Sequence, residues 1–415
     1  MLDYVIRNAR LPGPDGTTDI GFSKGKIAAV EPKLVADAPS YDAQGCLCCG
    51  GLCETHIHLD KSRIADRCPL PEGRRVNPVT MVAPLKPTWT VEDVYERAAT
   101  TLHECLVNGT TRMRTQVEID PAIGLRGFEA LRSLAENYRW AIDIEICVFP
   151  QDGLTNYPGT EELLVEALKQ GAPVLGAAPR YDSDPTAQID RIFELAREYD
   201  VDLDLHLDVG DNPAHMDVYR VLELTEQYKR GGRVVVGHMA KLSLLPPSEL
   251  AALARRFRDV GIAVTVLPAT DLYLMGRDRD HAVVRGVADA NFLTANGLTC
   301  SLSSNNILNA ATPYGDCSLI RIANLQANVL QIAAPAELRD LFLMLTERSA
   351  KLLNLKDYGL LRGNPADIVV IDAETPEQAV AEIRPPLAVW KRGRRTVIRH
   401  PPELLASGHM KQIRV

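Results

Sequence analysis

The sequence predicts an α/β protein whose centre closes into an eight-fold β/α barrel and whose two ends meet in a small β domain. Three observations predict it. The middle of the chain, 51–350, alternates short apolar runs with helical patterns. Those runs are apolar on both faces, as in a parallel sheet covered on each side. The ends, 1–50 and 351–415, alternate β-rich runs with turns instead, so they are expected to pair with each other around the central insertion.

Taken in order, Tyr4-Val5-Ile6, the turn Gly13-Pro14-Asp15-Gly16 and Lys26-Ile27-Ala28-Ala29-Val30 open the N-terminal β part. In the centre, Thr90-Val91-Glu92-Asp93 reads as a capping box. It starts a helix with Val94, Tyr95, Ala98, Leu102 and Leu106 on one face. Strands are expected at 141–148, 174–178, 201–207, 233–239, 263–267 and 298–302, with helices such as 187–199 and 248–259 between them. About 290 residues of this alternation suit a barrel, which typically takes ~250. A doubly wound open sheet is the alternative, but no Gly-rich phosphate loop follows the first strand. Asp367–Asp372 and a hairpin over 388–398 complete the β part.

Composition narrows the function. The 415 residues are 46% apolar and 24% charged, ordinary for a soluble chain with a large core. A net charge of -8 argues against a nucleic-acid or anionic membrane partner, and no run is long enough to span a bilayer. Met1-Leu2-Asp3-Tyr4-Val5-Ile6-Arg7 is not a secretory signal, so a cytoplasmic location is expected. Nine cysteines, an odd number, read as reduced thiols. Cys46, Cys48, Cys49 and Cys53 lack the paired spacing of a zinc site and read as small buried residues.

The chemistry is carried by histidine. In His56-Ile57-His58, at the end of an apolar run, period-two alternation sends both imidazoles to one side. His206 and His238 end two later predicted strands, and a β/α barrel does its chemistry at strand C-termini. Three neutral imidazoles leave a divalent cation with open positions, as catalysis needs, and a fourth can orient the electrophile. His103, His215, His281, His400 and His409 fall in helix, loop or tail patterns and read as structural.

These residues carry a resemblance. The chain resembles the amidohydrolase superfamily, in its cytosine-deaminase-like and N-isopropylammelide-hydrolase-like branch, over nearly its whole length. The matching phrases are His56-Ile57-His58-Leu59-Asp60-Lys61-Ser62, Arg114-Thr115-Gln116-Val117, Val148-Phe149-Pro150-Gln151-Asp152-Gly153, His206, Gly237-His238, Gly276-Arg277 and Tyr358-Gly359-Leu360-Leu361-Arg362-Gly363-Asn364-Pro365-Ala366-Asp367. The resemblance implies a TIM-like (β/α)8 barrel with a small β-sandwich formed from both termini. It implies one divalent metal ion, zinc first with iron or manganese as alternatives, on His56, His58 and His206. It places His238 against the water or substrate and Gln151 against the heterocycle.

Three departures qualify it. Where the family has an Asp after the last barrel strand, binding metal and moving the proton, this chain has Asn305. Its carboxamide can donate an oxygen to metal but cannot take a proton near neutral pH. Either the chain is a natural variant or the residue was changed to trap an inactive enzyme. Where cytosine deaminases carry a proton-passing Glu, this chain has Val209. Asp208, on the strand parity of His206, is then expected either as a substitute base or as a helix cap. Gln116 stands where related hydrolases often have His, and is expected near the substrate. Arg180, after another predicted strand, is expected to hold an anionic or oxo-rich substrate group or to pair with Asp182. Lys61 reads as a strand-end salt-bridge partner. The proline-rich stretch 68–88 is expected to cover the active-site mouth as a stiffened lid.

The expected function is hydrolysis of a C–N bond in a small, cyclic nitrogen compound. Cytosine itself is disfavoured by Val209, and an N-alkyl amine or cyclic amide substrate is favoured. The alternative is a silent or trapped homologue that binds a small heterocycle. The partners expected are a small-molecule substrate and further copies of the chain in a homo-oligomer.

Overall fold

The computed structural model describes residues 1–415 apart from 14–15, 69–76, 278, 401 and 403–415. Pro14 and Asp15 of the first expected turn, Pro69 and Pro71 of the proline-rich stretch, and His409 lie outside the described residues.

The N-terminal strands are β1 (Tyr4–Ala9), β2 (Thr18–Ser23), β3 (Lys26–Glu31), β4 (Ser40–Asp42) and β5 (Leu47–Gly50). The barrel strands are β6 (Leu52–Ile57), β7 (Thr110–Glu118), β8 (Asp143–Phe149), β9 (Val174–Ala177), β10 (Asp202–Leu207), β11 (Val234–His238), β12 (Ile262–Val266) and β13 (Cys300–Leu302). At the C-terminal end lie β14 (Ile368–Ile371), β15 (Pro386–Lys391) and β16 (Arg394–Ile398).

Two four-stranded sheets, ordered β3-β2-β1-β4 and β16-β15-β14-β5, form the small β-sandwich. The second joins the chain ends, because β5 pairs antiparallel with β14 and sets Cys48 against Val370. Period two then sorts the side chains. Ile368, Val370 and Cys48 pack with Ile6, Phe22 and Trp390 inside the sandwich, while Val369, Ile371 and Cys49 face the main core. The cysteines there are free thiols, three of the four fully buried, as small packing residues would be. The predicted hairpin turns through Arg392 and Gly393, both at positive φ, the two-residue turn that matches strand twist.

Eight parallel strands run in chain order from β6 to β13. The sheet closes where Asn305 N–H donates to His56 O at 3.0 Å and His58 N–H donates to Asn305 O at 2.8 Å. Consecutive order with closure makes a barrel and excludes the doubly wound alternative. Helices follow the strands, including Val91–Val107, where Thr90 Oγ1 accepts from Asp93 N–H. Half of the expected capping box forms, since the Asp93 carboxylate turns to Arg97 and Arg67 instead.

β7 is the longest barrel strand and is written in polar residues, Thr-Thr-Arg-Met-Arg-Thr-Gln-Val-Glu. Apolar periodicity does not reveal it, because its polar side chains find partners inside. Arg114 is 1% exposed and pairs with Glu145 at 2.6 Å and Asp204 at 3.1 Å. No helix among the described residues is long and apolar enough to cross a membrane.

Candidate active site

The C-terminal ends of β6, β10 and β11 bring the four strand-end histidines together. His56 Nε2 lies 3.1 Å from His206 Nε2, and His206 Nε2 lies 3.1 Å from His58 Nε2. Two nitrogens bound ~2.0–2.1 Å from one zinc ion sit ~2.9–3.4 Å apart for angles from 90° to tetrahedral. The three imidazoles therefore fit a shared cation. Burial keeps all three below the usual histidine range, against the upward pull of Asp204 on His56, and Lys61 and neighbouring imidazoles add to it at His58 and His206, which favours the neutral form that binds metal.

Neighbours fix the rings. Phe149, ending β8, stacks on His206 with centroids 4.5 Å apart and planes at 15°. Asp204, two residues before His206 and so on the same face of β10, reaches His56 Nδ1 at 3.3 Å. Burial alone would raise its carboxyl, but His56 and Arg114 hold it below the usual carboxylate range. An acceptor at Nδ1 leaves Nε2 as the free ligand nitrogen.

His238 closes the other side. Its Nδ1 lies 2.6 Å from Asp271 Oδ1, and its Nε2 lies 3.5 Å from Asn305 Nδ2. His238 and Asn305 both have positive φ, 71° and 61°, a costly conformation that strand-end residues hold only when their surroundings impose it. Asn305 Oδ1 is buried without a hydrogen-bond partner.

The cavity beside these groups is lined by His58, His206 and His238, by Lys61, Gln151 and Arg180, and by the apolar Val79, Val82, Leu207, Val209 and Leu274. Pro78, Val79, Val82 and Lys86 come from the described part of the proline-rich stretch. It forms a short helix (Pro78–Val82) and a 3-10 turn (Ala83–Thr88) at the cavity wall. Lys61 donates to Glu118 at 2.6 Å, as a salt-bridge partner should, and to Gln151 Oε1 at 3.0 Å. An ammonium only donates, so it fixes the Gln151 amide with its oxygen toward Lys61. Lys86 Nζ, 1% exposed, is held by Glu118, Asp120 and Asp152 at 2.7–2.8 Å. Burial alone would raise Glu118, but Lys61 and Lys86 bring it down to about 2.

Of three further expected residues, Gln116 sits away from the cavity, while Asp208 and Arg180 reach it with partners already in place. Gln116 is fully buried behind His56, its side-chain amide 3.3 Å from that ring's Nδ1, so it backs a histidine and does not line the cavity. Strand parity turns it into the barrel interior along with Arg114. Asp208 reaches the cavity wall, but its carboxylate accepts from Asp217 N–H and Val218 N–H at a helix start and faces Lys241 at 3.3 Å. Arg180 does not pair with Asp182, whose oxygens are taken by Leu154, Thr155 and Gln188. It donates instead to Val209 O at 2.6 Å, at the mouth. Asp204, Asp271, Glu118 and Lys86 went unread in the sequence. Parity with His206 signals the first, and no spacing signals the others.

Comparison with known proteins agrees with this fold. A model of the amidohydrolase family matches residues 77–397. N-isopropylammelide isopropyl amidohydrolase of Pseudomonas sp. strain ADP is 26% identical over 404 residues, covering 94% of this chain and 96% of its own. Pterin deaminase of Rhizobium rhizogenes is 23% identical, covering 94% of this chain and 93% of its own. The crystal structure of 5-methylcytosine deaminase from Klebsiella pneumoniae with 5-fluorocytosine superposes with a TM-score of 0.92 at 26% identity, over 97% of this chain and 99% of that one. The chain belongs to the amidohydrolase family, in the branch that resembles cytosine deaminases and ammelide hydrolases.

Proposed function

We propose that this protein hydrolyses the C–N bond of a small cyclic nitrogen compound, with an N-alkyl amine or a cyclic amide favoured over cytosine. The observation that carries the reading is the convergence of three imidazole Nε2 atoms, 3.1 Å from His206 to each neighbour, with His58 and His206 on the wall of a cavity. His56, His58 and His206 would hold one divalent ion, zinc in this reading, with the Asn305 carboxamide oxygen available beside them. Such an ion supplies Lewis acidity that makes water a nucleophile near neutral pH.

The remaining residues bind and orient. With its oxygen on Lys61, Gln151 is left to donate from Nε2 to a ring carbonyl or ring nitrogen. Arg180 extends the donor set at the mouth. Val209, Leu207 and Leu274 offer apolar wall and no proton, which suits an alkyl substituent better than a bare exocyclic amine. Asp208, occupied with a helix start, is assigned a structural role here.

The test is a substrate panel of N-isopropylammelide, 5-methylcytosine, cytosine and pterin, assayed for both alkylamine and ammonia. Alkylamine release with little ammonia from cytosine is expected. Cytosine deamination at ordinary enzyme rates would refute the substrate preference. Asn305 and Val209, two positions without a proton carrier, favour a second reading, a silent or trapped homologue that binds a heterocycle. Binding of panel compounds without turnover would select it.

A further inference from the structure

Asp271 is 0% exposed, in the helix Pro268–Leu274 that follows β12. Among the described residues its side chain makes one hydrogen bond, to His238 Nδ1 at 2.6 Å, and its Oδ2 is buried without a partner. An isolated buried carboxylate costs several kcal/mol unless something compensates it, and the hydrogen bond to His238 is the compensation seen here. A carboxylate accepts, so the proton of a neutral His238 ring stands on Nδ1 and Nε2 keeps its lone pair. That bare nitrogen lies 3.5 Å from Asn305 Nδ2, and His238 lines the cavity. His238 ends β11, Asp271 lies in the helix that follows β12, and Asn305 follows β13, so three successive β/α units bring them together.

We propose that Asp271 is a positioning residue that locks His238 as its Nδ1–H tautomer, and that the Asp271–His238 pair performs the proton transfer that an amide at 305 cannot. The inference rests on the hydrolase reading above. As water oxygen bonds to the ring carbon, His238 Nε2 takes one water proton. It returns that proton to the departing nitrogen as the C–N bond breaks. The amine leaves neutral, the hydroxyl stays on carbon and becomes the carbonyl as its own proton passes to the adjacent ring nitrogen, and His238 recovers its starting tautomer. Asp271 accepts from Nδ1–H throughout and stabilises the transient imidazolium.

The experiment is long-range 1H–15N spectroscopy of the zinc-loaded protein labelled at histidine, with the His238 ring signals identified by their loss in His238→Gln. A proton on Nδ1 and a bare Nε2 are expected, with a shift toward Nε2–H in Asp271→Asn. For the panel compound turned over fastest, Asp271→Asn should lower kcat by about 10²-fold or more, with KM changed less than about threefold, and Asp271→Glu should recover part of it. A proton on Nε2 in the wild type overturns the proposal, as does a folded Asp271→Asn protein with unchanged kcat. The wild-type spectrum decides the tautomer even if the variant does not fold. Absence of turnover with the expected tautomer counts against the hydrolase reading and not against the positioning of His238.

Discussion

Asp204 Oδ1 stands 3.3 Å from His56 Nδ1, while the opposite ring nitrogen, Nε2, faces His206 Nε2 at 3.1 Å. Carboxylate, imidazole and cation site thus form one line, with Arg114 behind the carboxylate at 3.1 Å. Asp204→Asn is expected to weaken metal binding by about 10–100-fold. Competition with a chromogenic chelator measures it, and equal affinity in the two proteins would show that Asp204 serves the core alone.

Lys86 pairs with Glu118, Asp120 and Asp152 at 2.7–2.8 Å, and Lys86→Met leaves Glu118 with Lys61 at 2.6 Å but strips Asp120 and Asp152 of this ammonium. At pH 7.5 the variant should lose about 3–5 kcal/mol, the cost of stripping a buried charge of its partner. The pH dependence has a definite sign. Glu118 is held down to about 2, so its contribution in the wild type is complete above the ordinary carboxylate range and is lost only as pH falls toward 2. Lys86 is held above the usual lysine range, so its contribution is complete below that range and is lost only in strong alkali. Without Lys86 the carboxyls take up protons sooner, and the deficit should shrink between pH 7.5 and 4.5. Urea denaturation at the two pH values checks it.

Val209→Glu returns a proton carrier to the cavity wall. Ammonia release from cytosine or 5-methylcytosine should rise by about 10²-fold over the wild type. An ammonia assay that shows no gain would mean that residue 209 does not face the reacting nitrogen.

Asn305→Asp tests what residue 305 does. If the Asp271–His238 pair already moves the proton, turnover should change by less than about tenfold. A gain in the range of 10²–10⁴ would identify the wild-type chain as trapped for want of a base. Steady-state kinetics on the panel separates the outcomes.

Much of this was legible before any coordinates. The strand-end positions of His56, His58, His206 and His238 follow from the apolar runs that they end, and the barrel follows from the alternation of those runs with helices. Asp204 was readable in principle from its parity with His206. β7 was hidden because Arg114, Gln116 and Glu118 occupy places that apolar residues usually fill, and their partners come from other strands. Asp271 was out of reach for a different reason. Its role depends on how the segment after β12 folds back over β11, a tertiary fact that no local pattern encodes. Asp208 shows the converse, since parity brings it to the cavity wall while two backbone N–H groups claim its carboxylate.

The central claim is that the three converged imidazoles hold a metal ion on which C–N hydrolysis depends. The direct measurement is amine release from the panel compounds by chelator-stripped protein, before and after titration with zinc. The account predicts that stripping abolishes turnover, that one equivalent of zinc per chain restores it, and that His206→Ala neither binds the metal nor recovers. Turnover indifferent to stripping, or a wild-type chain that binds no divalent metal, would contradict it.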